Sequence, residues 1–200
     1  VVGLACVLLL FECVVEGMSS QVKPFGALGR MAKAYFTALG SASSAATIPV
    51  TYQCARNNGV SEEIAGFAVP LCATIHLGGS TVKITAFALA VMQMTGQSIS
   101  FGKMAMAILI LGVTMVAAPG VPGGAIAAAQ GVLMGFLGFS PELYSLLVAL
   151  YVAIDSIGTA TNVTGDGAIA LIVNKLAGGS LGSEKGKAMS TAETIVSATD

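Results

Sequence analysis

Tryptophan is absent from this 200-residue chain, and histidine occurs once. Charge is scarce: Lys, Arg, Asp and Glu make up 10% of the residues, against ~25% in an average soluble domain. A net charge of −1 leaves no basic field for a polyanion, so nucleic acid is not expected as a partner. The four cysteines, Cys6, Cys13, Cys54 and Cys72, show neither metal-finger spacing nor a disulfide framework. They read as small buried side chains. Without Trp, any belt at a membrane interface must be made of Tyr and Phe.

Apolar residues fill the space that charge leaves. They are 55% of the chain, and the mean hydropathy is +0.86. The expectation is an all-α integral membrane protein, multi-pass, with the lipid bilayer as its surroundings. The first residue is not Met, and the chain opens inside an apolar run, VVGLACVLLLF. That run lacks the basic flank and small-residue cleavage site of a signal peptide. It reads as the end of a transmembrane helix over residues 1–16, and the chain as a piece of a longer protein.

Five further segments follow. Residues 25–58 read as two half-length helices joined at GSASSAATIPV (40–50), a re-entrant hairpin. Such a hairpin is tolerated at membrane depth only where protein or water covers its backbone. Residues 61–95 form a spanning helix opened by Ser61-Glu62-Glu63 and interrupted at HLGGS (76–80). Residues 101–138 form a second hairpin, with the tip AAPGVPGGA (117–125). Residues 141–176 form a last helix, and 179–200 a poorly ordered tail. Paired broken segments in corresponding positions point to an inverted-repeat transporter with its site at the midplane.

The last helix carries the chemistry. Asp155, Thr159, Asn162 and Asp166 are spaced 4, 3 and 4 residues apart, which puts them on one helix face. A carboxylate at membrane depth costs roughly 2.5–3.5 kcal/mol on insertion scales. Two of them on one stripe, with Gly158 and Gly165 allowing close backbone approach, read as the wall of an ion or solute site. The plainer alternative is a polar helix–helix contact in a bundle. A channel lined by the same stripe is a competing function. An intramembrane enzyme is not expected: the two aspartates lie about 16 Å apart along a helix, too far to share a proton.

SSAATIPV (43–50), VPGGA (121–125) and NVTGD (162–166) resemble the hairpin tips and last helix of the dicarboxylate/amino acid:cation symporters, the glutamate transporter homologues. The resemblance implies a transport domain over 1–178 and a homotrimer built on scaffold helices that this chain lacks. It implies a cell-membrane protein that couples solute entry to Na+. It also implies the site. Asp155 would hold a substrate amine, Thr159 and Asn162 would offer hydroxyl and amide, and Ser43 and Ser44 would present a helix N-terminus to a carboxylate. Gly120, Val121 and Gly123 would form the gating tip. Asn162 and Asp166 would bind one sodium, and Thr74 another.

Three departures bear on the solute. The arginine of acidic-substrate members is Gly158 here, and the other common arginine positions are Ala42 and Ser156. A second carboxylate would then lack its cation, so the expected substrate is a small neutral amino acid such as serine or threonine. A sodium- or proton-coupled acidic amino acid or dicarboxylate symporter is the alternative. In the seventh helix of the resemblance, Asn-Met-Asp-Gly reads His76-Leu77-Gly78-Gly79, which weakens one sodium site. His76 stands either as a neutral hydrogen-bond partner or ion ligand, or as a proton-coupling group.

Overall fold

The computed structural model describes residues 3, 7–9, 23–98 and 100–177. Among them the chain is helical throughout and has no strand. Of the expected helix over residues 1–16, only residues 3 and 7–9 are described, and they are helical. The tail at 179–200 lies outside the described residues.

The first hairpin is α1, Pro24–Ser41, and α2, Ser44–Asn57. The turn between them is shorter than the small-residue stretch suggested. Ala42 takes a left-handed conformation (φ 49°) and ends α1 through its N–H to the Ala38 carbonyl, 2.9 Å. Ser43 then caps α2, its hydroxyl accepting from Ala46 N–H at 3.2 Å. Pro49 lies inside α2. A proline in the second turn forfeits a single backbone bond, and Ser43 fixes the turn before it.

The next span is two helices, α3 (Glu62–Ile75) and α4 (Gly78–Met94), interrupted at His76 and Leu77. Ser61 caps α3 by accepting from Ile64 N–H, and Glu62 and Glu63 suit its positive end. The second hairpin opens with α5, Phe101–Met115. Its returning arm is not one helix but a short α6, Gly124–Ala128, followed by a π-helical turn, Gly131–Phe136.

The last segment, expected as one polar-striped helix over 141–176, is broken. It is α7, Pro141–Ala153, and α8, Asp155–Leu176, bent by 64° at Ile154. Asp155 therefore opens a helix, where its charge meets the positive end of the dipole. Residues 62–94 pass as one span by length and apolar composition, and α7 with α8 as a second, bent one.

Two apolar bodies explain the breaks. Met31, Ala34 and Ala38 of α1, Cys54 of α2, and Ala160 and Val163 of α8 pack together; Ala65, Ala68 and Val69 of α3 join Ala170 and Leu171 nearby. Ile84, Ala88 and Met92 of α4 pack with Leu111 and Met115 of α5, Ile126, Leu133, and Leu147 and Tyr151 of α7. Each broken span thus gives one half to each body, and both breaks lie where the bodies meet. Between them α4 and α8 touch through backbone: a Cβ on Gly79 would lie 2.7 Å from the Gly158 carbonyl. Phe101, Leu109 and Val113 of α5 stay exposed, a surface that suits lipid or a protein neighbour better than water.

Candidate functional site

The two hairpin tips meet. Gly120 carbonyl accepts from Ser43 Oγ at 2.9 Å and from Ala45 N–H at 3.0 Å. Only glycine fits there, since a Cβ would lie 2.6 Å from the Ala73 carbonyl at the end of α3. Beneath the tips is a pocket of about 220 Å³, its mouth included. Ala42 and Ser44 line it from the first tip, Pro119, Gly120 and Val121 from the second, and Leu77 and Ser80 from the break. Tyr151, Asp155, Thr159 and Asn162 complete it.

Of the residues singled out from the sequence, Ser44, Val121, Asp155, Thr159 and Asn162 come together at this pocket. Others do not. Ser43 is committed to capping α2 and bridging to Gly120. Gly123 contributes its backbone, its N–H donating to Asp155 Oδ2 at 2.8 Å from a left-handed conformation (φ 75°). Thr74 is exposed, and its hydroxyl donates to the Leu71 carbonyl at 2.8 Å, away from the pocket lining.

Asn162, expected among the sodium ligands, caps a helix in this structure. Its Oδ1 accepts from Gly79 N–H at 2.8 Å and Ser80 N–H at 3.3 Å, and its Nδ2 donates to Ser80 Oγ at 3.1 Å. Leu77, preceding α4, has no side chain to cap it. Asn162 supplies that cap from another helix, which uses both lone pairs of its carbonyl oxygen.

Asp166 is placed otherwise. His76 Nδ1 and Asp166 Oδ1 share a hydrogen bond at 3.0 Å, while Oδ2 is buried and has no hydrogen-bond partner among the described residues. A buried carboxylate oxygen left without a donor suits a hard cation, which prefers oxygen ligands. Asp166 thus fits a sodium ligand, with His76 orienting it. The His76 ring also fills space beside Gly78, where a Cβ would lie 3.2 Å from Nε2.

The residue missed from the sequence is Lys83. It is 1% exposed, and its Nζ donates to Asp155 Oδ1 at 2.7 Å. The same ammonium stands 3.4 Å from the centre of the Tyr151 ring, a cation–π contact. Gly158 leaves it room: a Cβ there would lie 3.1 Å from Nζ. The expectation of no cation near position 158 is overturned by Lys83. A cation reaches the flank of position 158 from α4. The signal was present, since Lys83 is the sole charged residue between Gly78 and Met94, as expensive at membrane depth as the aspartates.

Two hairpin tips closing on a pocket where two broken spans meet is the arrangement of a secondary-transporter core, general among inverted-repeat carriers. The chain belongs to the sodium:dicarboxylate symporter family, whose model matches residues 1–176. Members of that family are transporters and not enzymes, and they reside in membranes. Among relatives, an excitatory amino acid transporter of Caenorhabditis elegans is 31% identical over 82% of this chain and 33% of its own length. Excitatory amino acid transporter 1 of Rattus norvegicus is 29% identical over 88% of this chain and 32% of its own length. Human excitatory amino acid transporter 2 is 30% identical over 78% and 27%. The chain spans about a third of the length of these relatives.

Proposed function

We propose that this chain is the solute- and cation-binding core of a secondary active symporter that carries a small carboxylate-bearing solute with sodium across the cell membrane. The observation that carries this is the pair of tips joined through Gly120 over a pocket lined by Asp155, Thr159 and Asn162. A tip that opens and recloses would admit solute from one side at a time. Asp166, with its free buried oxygen, would hold the cation, whose binding adds the driving force. The family description and the relatives' names support sodium and a carboxylate. A homotrimer with a scaffold supplied by further helices belongs to the same proposal.

Two solute readings divide the proposal. Gly158, Ala42 and Ser156 favour a neutral amino acid such as serine or threonine, because none carries a guanidinium. Lys83 favours an acidic solute, because it brings positive charge to the flank of the pocket. The deciding experiment is uptake by the full-length protein in proteoliposomes. Labelled serine and aspartate are offered with an inward sodium gradient or a proton gradient alone. Sodium-driven, saturable uptake is expected. Current without saturable uptake would make the protein a channel. Uptake on the proton gradient alone would assign proton coupling, and an unchanged pH profile in His76→Asn would remove His76 from that role.

A further inference from the structure

Among the described residues Asp155 is the only charged side chain lining the pocket, and both of its oxygens are engaged. Lys83 takes Oδ1 and the Gly123 N–H takes Oδ2. The ion pair is buried on both sides, 1% and 6% exposed. The remaining lining side chains that can hydrogen-bond are neutral: Ser44, Ser80, Tyr151, Thr159 and Asn162. Asn162 Oδ1, the strongest neutral acceptor among them, is occupied by two backbone N–H groups. An ammonium entering this pocket would find no uncommitted anion. It would also face a like charge on Lys83 across a shared carboxylate.

We propose that Lys83 is the specificity-determining residue of this site: its ammonium occupies on Asp155 the place of a solute amine, so the pocket takes short carboxylates that lack an amine in preference to amino acids. The inference rests on the symporter reading above and narrows its solute. Three features fit it. Gly158 opens the space through which Nζ reaches Asp155. The Tyr151 ring covers another side of the ammonium, which holds Lys83 at Asp155. The neutralised Asp155 in turn accepts from the second tip, so the tip can rest on it without a charged solute. A carboxylate with no amine adds one negative charge to a neutral pair beside a cation. An amino acid would have to displace Lys83 or share its partner.

The test compares solutes that differ in the amine alone: L-alanine with L-lactate, and L-aspartate with L-malate. Binding to the purified full-length protein is read by thermal stabilisation in sodium buffer, and uptake by labelled solute in proteoliposomes with an inward sodium gradient. In the native protein the hydroxy acid of at least one pair is expected to bind roughly tenfold or more tightly than its amino acid, given the penalty of like charges set together. Lys83→Arg keeps that order, and Lys83→Met narrows or inverts it. Preference for the amino acid in both pairs overturns the proposal and leaves symport standing. Preference for the hydroxy acid in binding, with no sodium-driven uptake, supports the proposal and ends the symport reading. Binding of neither class ends both. A folded Lys83→Met protein with an unchanged ratio also overturns it. If that variant does not fold, the native comparison decides.

Discussion

Asp155 and Asp166 stand about three turns apart on α8, and their surroundings differ in one respect. Asp155 is saturated: an ammonium and a tip N–H occupy its two oxygens. Asp166 is half satisfied: His76 holds one oxygen, and the other is buried with no partner among the described residues. In a low-dielectric interior a bare carboxylate oxygen is unfavourable unless something binds it. The same residue type on the same helix therefore serves two purposes. One end is closed by the protein itself, and the other keeps an oxygen that no described group satisfies.

Both ends show a common substitution in space. At the Asp155 end, Gly158 is empty and Lys83 approaches it from α4. At the Asp166 end, Gly78 is empty and the ring of His76 lies against it. In each case the side chain that the family resemblance places at a glycine is answered by one that reaches the same space from another position. A site read position by position looks stripped, whereas in space it is refilled.

The comparison can be broken from either end. The largest effect is expected from Lys83→Met, which leaves Asp155 buried without its cation. Breaking a buried pair from one side costs about 3–5 kcal/mol, read as a fall in thermal unfolding temperature in detergent. The double variant Lys83→Met/Asp155→Leu should recover most of that loss. If the single variant is as stable as the native protein, the Asp155 end is not the closed pair described here.

Next comes His76→Leu, which removes the group that orients Asp166. Loss of such an orienting partner weakens metal binding by about 10–100-fold, so the sodium concentration for half-maximal uptake should rise by that factor. Stability without sodium should change less than in Lys83→Met. An unchanged sodium dependence would place the cation elsewhere. The smallest effect is expected from Gly123→Ala. Its left-handed backbone (φ 75°) costs a residue with a Cβ about 1–2 kcal/mol, and the strain falls on the tip that donates to Asp155. Faster proteolysis at the second tip, with the sodium dependence intact, would confine the damage to the Asp155 end.

Much of the architecture is readable in the chain. Ser61 and Ser140 each cap a helix that their neighbours announce, and HLGGS marks the break at residues 76–77. The bend at Ile154 is not readable, because no Gly or Pro stands there and the apolar run is continuous. The irregular return of the second hairpin is not readable either, because Gly131 and Gly135 do not by themselves specify a π-helical turn. At the site, the stripe Asp155, Thr159, Asn162 follows from helical spacing alone, and those three residues do line the pocket. The task of Asn162 does not follow, because its partners, Gly79 and Ser80, are more than eighty positions away. Nor does the fate of Asp155, whose cation is 72 residues distant.

The sequence by itself determined that this chain is apolar and helical, that it carries two interrupted hairpins, and that its acids lie on one stripe. These are local properties, fixed by composition, by glycine and proline, and by the 3.6-residue period. Only the tertiary structure decided which acid is satisfied and which is left bare. Partnership at a buried carboxylate depends on what other helices bring within about 3 Å, and no spacing along one helix contains that distance.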